Sequence, residues 1–142
     1  MAVVLLTAAI PIRGEDHRIH LCEAEPYRNS GTNHWWVPLS RLERLPLWRG
    51  EGNPPLSINK ALRIAREWIT PKSGNGSVDH IVLRPIEPGA ESKYKFLYYY
   101  VIEFCVAPYG NHITCVILTD GTVVEPELAP WHPTGPTNGL SQ

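Results

Sequence analysis

The sequence has no excess of charge of either sign: thirteen lysines and arginines stand against fourteen acidic residues, a formal net charge of -1 over 142 residues. Without a basic field nothing steers a polyanion onto the surface, so no nucleic-acid partner is expected. An apolar run long enough to span a bilayer is also missing, since MAVVLLTAAIPI, the first twelve residues, falls short of the roughly 20 that a spanning helix needs. No transmembrane span is therefore expected. A G-x-S-x-G elbow, a phosphate-cradling glycine loop and a dinucleotide glycine fingerprint are all absent, which removes the usual signals for nucleophilic hydrolysis and nucleotide chemistry. Cysteine is scarce, with only Cys22, Cys105 and Cys115, and no C-x-x-C pair occurs to hold a structural metal. No cofactor and no metal ion are expected on these grounds.

What is present is one domain's length of chain with 43% hydrophobic residues, enough for a single modest core. Fourteen prolines and eleven glycines cluster in 46–55, 71–76, 85–89 and 126–139 and mark the turns and linkers. Residues 1–20 read either as the remnant of a secretory leader, lacking the basic segment that should precede its apolar core, or as an N-terminal strand. The polar stretch 13–34 has no sustained period and reads as loop. Within an irregular segment 21–55, Ser40 is placed to cap a short helix carrying Leu42 and Leu45. Residues 128–142 read as a mobile tail rich in proline and glycine.

Residues 56–71, LSINKALRIAREWITP, carry the clearest helical signal. Ile58, Ala61, Leu62, Ala65, Trp68 and Ile69 share one face at helical spacing, Ser57 is a suitable N-cap and Pro71 a suitable stop. Strands are expected at 79–86, 94–107 and 112–119, with a short fourth after Asp120-Gly121, a pair that favours a type I′ turn. Consecutive strands joined by short turns make an antiparallel meander with the helix across one face: an α+β fold spanning 56–127. Alternation along KFLYYYVIEFCVA puts Phe96, Tyr98, Tyr100, Ile102, Phe104 and Val106 on the core face. Tyr99 then shares the opposite, partly wet face with Leu97 and Val101.

A hairpin register pairing 107 with 113 would set Cys105 opposite Cys115. That proximity permits a disulfide in an oxidising compartment, and in a reducing one the two thiols are small hydrophobic side chains. His17, His20, Cys22 and Glu23 match no closed ligand set and read as a solvated loop, as His80, His112 and His132 read as exposed single histidines. Glu103, Asp120 and Glu125 provide carboxylates, with Asp120 accounted for by its turn. Trp35, Trp36, Trp48 and Trp131 lie outside the regular elements, where aromatic side chains anchor partners or fold back over the open sheet face.

The run LSINKALRIAREWI, followed by HIVLRPI, YKFLYYYVIEF and HITCVILTDGTVVEP, resembles the helix-then-meander modules of the PepSY-like group. More loosely, it is similar to the cystatin arrangement of a helix wrapped by an antiparallel sheet. The resemblance covers about residues 56–127 and implies a secreted or periplasmic module that regulates peptidases or forms part of an envelope protein. The hairpin FCVAPYGNHITC lacks the Q-x-V-x-G contact of cystatins, so the resemblance does not bring cysteine-protease inhibition with it. The expectation is a non-enzymatic binding module with a protein or peptide partner in the envelope. Two alternatives stay open: a small enzyme or ligand carrier using the concave sheet face, and a subunit of a larger assembly, with a cytoplasmic location if the N-terminus is not processed.

Overall fold

A computed structural model describes residues 17–25, 31–86, 94–107 and 110–129 of the chain. It is α+β, with one main helix and two antiparallel sheets. The larger sheet has the order β3-β4-β5-β6, formed by β3 (Ser77–Pro85), β4 (Tyr98–Val106), β5 (Asn111–Leu118) and β6 (Val123–Val124). This is the expected meander. The smaller sheet, β1-β2-β7, consists of β1 (Arg18–Ala24), β2 (Thr32–Pro38) and β7 (Glu127–Ala129).

The smaller sheet corrects the reading of 13–34 and 21–55 as irregular at residues 18–24 and 32–38, and the mobile-tail reading at Leu128 and Ala129. Polar side chains on its outer face hide the apolar alternation of Ile19, Cys22, Trp35 and Val37 on its inner one. The docking of β7 also depends on Gly31, because a Cβ there would lie 2.5 Å from the Ala129 carbonyl oxygen. Residues 1–16, on which the leader reading falls, and Trp131 and His132 lie outside the described residues.

Helix α2 (Ile58–Ser73) starts at Ser57, whose hydroxyl accepts a hydrogen bond from the Lys60 N–H at 3.3 Å. The helix runs two residues past Pro71, which sits in its last turn, and closes at Gly74, whose N–H reaches the Thr70 carbonyl at 3.0 Å with φ of 72°. Its buried line is Ala61, Ala65 and Ile69. Leu62, Ile64 and Trp68 flank that line half-buried, while Ile58, expected on the core face, is 51% exposed. Two alanines at the centre let the helix backbone approach the sheet closely, and Tyr100, Ile102, Phe104, Cys115 and Ile117 fill the space beneath.

The second face of the large sheet is covered around Tyr99 and Val101 rather than wet. Tyr99 is 3% exposed and packs with Leu97, Val101 and Val116 against Trp35 and Val37 of β2. Leu97 and Val101, expected on a partly wet face, are thus covered by this chain's own hairpin. The short helix α1 (Leu39–Leu42) adds Leu42 to this layer, and Arg41 ties it to the β5–β6 turn through Asp120 at 2.9 Å and through the Thr122 hydroxyl. That turn is not type I′: Leu118 pairs with Thr122 around three loop residues in which only Gly121 has positive φ, 90°.

The β4–β5 hairpin closes at Val106↔Asn111, three positions from the expected register. An odd shift exchanges the faces of a strand. Cys105 therefore stands opposite His112, and Cys115 opposite Ile102 beneath the helix. The two thiols project to opposite sides of the sheet, no Cys105–Cys115 bond forms, and all three cysteines are free.

Candidate functional site

The candidate site lies on the outer face of the β1-β2-β7 sheet, and a β-bulge assembles it. Regular alternation would give His20 and Glu23 opposite faces. In β1 the register slips between His20 and Cys22, so His20 stands opposite Trp36, Cys22 opposite Trp35, and Glu23 opposite His34. The bulge at Leu21 keeps both Leu21 and Cys22 against the core and turns Glu23 outward beside the histidines. Burial also pushes the Cys22 thiol up to about 11, against a smaller opposing pull from Arg84, so this sulfur is protonated at neutral pH. Desolvation takes Cys115 to about 12.

The outward groups are close together. His20 Nε2 lies 3.1 Å from His34 Nδ1, and His34 Nδ1 lies 3.7 Å from a Glu23 carboxylate oxygen. One donor atom from each of the three residues falls within 4.8 Å of the others. Trp36 is half-buried beside them, its ring centroid 4.7 Å from that of His20, with the Arg18 guanidinium carbon 5.5 Å above the ring. Arg18 in turn pairs with Glu127 of β7. A cavity of about 310 Å³ adjoins this group, bordered by His34, Trp36, Glu127, Leu128 and Ala129, and Leu128 is 45% exposed. At the open edge between β1 and β3, a second cavity of about 580 Å³ is bordered by His20, Leu21, Arg84, Pro85 and Tyr99.

The three described candidate tryptophans have separate fates. Trp35 is 1% exposed and belongs to the core, so it presents nothing to a partner. Trp48 is half-buried, gives its indole N–H to the Glu51 carbonyl at 2.9 Å and meets Tyr98 edge-on at 5.1 Å between centroids. Trp36 alone of the three described stands within the histidine cluster.

The solvated-loop reading of His20, Cys22 and Glu23 is corrected, since all three lie in β1 and Cys22 turns toward the core. His20 and Glu23 are strand positions joined to a third donor, His34, fourteen residues from His20. The alternation of His34 and Trp36 with the inward Trp35 and Val37 is the one signal in the sequence that bears on this, and it becomes informative only once 32–38 is known to be a strand.

A second polar group occupies the uncovered end of the large sheet. Another bulge, between Val78 and His80, sets Asp79 and His80 beside Glu103 and His112. Glu103 bridges the two imidazoles at 3.6 Å to His80 and 3.8 Å to His112, while Asp79 lies 3.1 Å from His80 and 3.9 Å from His112. Of the carboxylates considered from the sequence, Glu103 thus lies between His80 and His112, and Asp120 is in its turn. Glu125 accepts the Trp68 indole N–H at 2.8 Å and lies 3.8 Å from Lys72.

No helix among the described residues is long and apolar enough to cross a membrane. Comparison with known proteins yields no matching family model, no matching curated protein and no matching solved structure.

Proposed function

We propose that the protein is a non-enzymatic binding module that takes a protein or peptide partner on the outer face of the β1-β2-β7 sheet, with Trp36 as the anchor. The observation that carries this reading is the division of labour between adjacent tryptophans: Trp35 is buried as a core residue, and Trp36 remains at the surface between Arg18 and His20. Aromatic side chains and arginine are enriched where proteins bind one another, because they offer large contact area together with polar direction. Arg18, held by Glu127, and the two histidines favour a segment that sets a polar side chain next to an apolar one. Leu128 and the 310 Å³ cavity supply the apolar seat. The resemblance to PepSY-like modules extends the proposal to an exported protein that regulates a peptidase or belongs to an envelope assembly.

Selection of a displayed peptide library against the full chain tests this. Enriched peptides are expected to carry a polar residue next to an aromatic or aliphatic one. They should lose at least tenfold in affinity for Trp36→Ala, an effect of hot-spot size, and be unaffected by Trp48→Ala. Enrichment that Trp36→Ala leaves unchanged would refute the site. A second reading, a carrier of a small anionic ligand, is favoured by the 580 Å³ cavity with Arg84 and His20 on its border.

A further inference from the structure

We infer that His20, Glu23 and His34 bind a divalent late first-row transition-metal ion, with zinc as the representative. This goes beyond the peptide-binding reading and stands on the cluster's own geometry. Donor atoms about 2.1 Å from a tetrahedral zinc lie about 3.4 Å from one another. The two edges of the cluster, 3.1 Å between the imidazole nitrogens and 3.7 Å from His34 to Glu23, bracket that spacing. The third edge, from His20 to Glu23, is within 4.8 Å, and the Glu23 side chain is exposed.

The chemistry of the set agrees with its geometry. Two imidazoles and one carboxylate select zinc and its neighbours over calcium or magnesium, which prefer oxygen donors. Three protein ligands leave a fourth position to water. Neither histidine is on a flexible loop: His20 is on β1 against the Trp36 ring, and His34 is on the central strand of its sheet. The bulge is the second observation, independent of the distances. It spends the regular ladder of β1 to bring Glu23 out of line with Ile19 and onto the histidine face, and re-aiming a side chain is what bulges beside functional sites do. The Asp79–Glu103–His112 group has a different character. Its closest edges to His112 are 3.8 and 3.9 Å, and His80 lies between its two carboxylates, 3.1 Å from Asp79 and 3.6 Å from Glu103, so both carboxylates already have an imidazole partner.

The test uses the full chain, stripped with a chelator, dialysed against Zn²⁺ at neutral pH and then against metal-free buffer, with zinc per chain read by elemental analysis. The wild type should retain one equivalent and release it on acidification, because protons compete for the imidazoles. His34→Ala and Glu23→Gln should each weaken binding on the order of tenfold or more, and His112→Ala should not. A wild type that retains no zinc, or zinc that is kept in full by His34→Ala, overturns the assignment. A measurement on the wild type alone guards against a variant that fails to fold. Zn²⁺ should protect His20 and His34 from modification by diethyl pyrocarbonate, mapped by mass spectrometry, and equal modification with and without the ion would also overturn it. Loss of peptide binding in Trp36→Ala with zinc retained would separate the two sites' fates.

Discussion

The two faces of the large sheet are covered by different means. On one, α2 follows the preceding chain and presents a line of small residues, Ala61 and Ala65, so that the bulk of the core comes from the sheet: Tyr100, Ile102, Phe104 and Ile117. On the other, the cover arrives from far along the chain as a hairpin and brings its own bulk, Trp35 and Val37, to meet Tyr99, Val101 and Val116. The adjacent tyrosines of β4 show both arrangements at once. Tyr100 gives its hydroxyl proton to the Leu56 carbonyl at 2.6 Å, just before the helix, and Tyr99 gives its own to the Leu21 carbonyl at 2.7 Å in the hairpin. Each phenol thus fastens the element that covers its side, and burial raises the pKa of Tyr100. The cover next in sequence is close-fitting and has little surface chemistry, whereas the distant one turns an aromatic and histidine-rich face to solvent.

The largest expected effect is on the hairpin side. Trp35→Ala should cost about 3 to 5 kcal/mol in urea unfolding, as deletion of a fully buried aromatic does, and a loss below about 1 kcal/mol would make the hairpin a peripheral attachment. On the helix side, Trp68 is half-buried with its indole N–H on the exposed Glu125, so Trp68→Ala should cost only about 1 to 2 kcal/mol by the same measurement. A cost equal to that of Trp35 would mean the helix cover depends on its flank rather than on its alanine line. The smallest effect, about 1 kcal/mol, is expected for Tyr99→Phe, which keeps the ring and removes one hydrogen bond. Hydrogen exchange in β1 should rise in that variant while exchange in α2 stays unchanged, and equal changes in both would mean that the two covers unfold as one.

The helix and the meander were legible because their signals are local. Ser57, the spacing of Ala61, Ala65 and Ile69, and the alternation of 98–106 each specify their element within a few residues. Ile58 and Trp68 were overestimated for a related reason: a periodic face shows which side is apolar, but the sheet's extent decides how much of it is covered. The hairpin 18–38 was illegible because the bulge at Leu21 breaks the period of two on which a strand is recognised, and because its inner face has no partner within its own stretch. The Cys105–Cys115 pairing failed on register, which the turn decides and alternation does not, since a shift of three leaves the pattern intact and exchanges the faces.

The sequence by itself determined the class, α+β, together with the Ser57 cap of α2, the Ala61, Ala65 and Ile69 part of its face and the order of the meander strands, because each depends on interactions between neighbours in the chain. Only the tertiary structure decided that the second face of the sheet is a core, that Trp35 and Trp36 part company, and that His20, Glu23 and His34 meet. These depend on a register slip and on contacts between β1, β2 and β4, up to 78 residues apart for Tyr99 and Leu21, and contacts at that separation leave no period in the sequence to read.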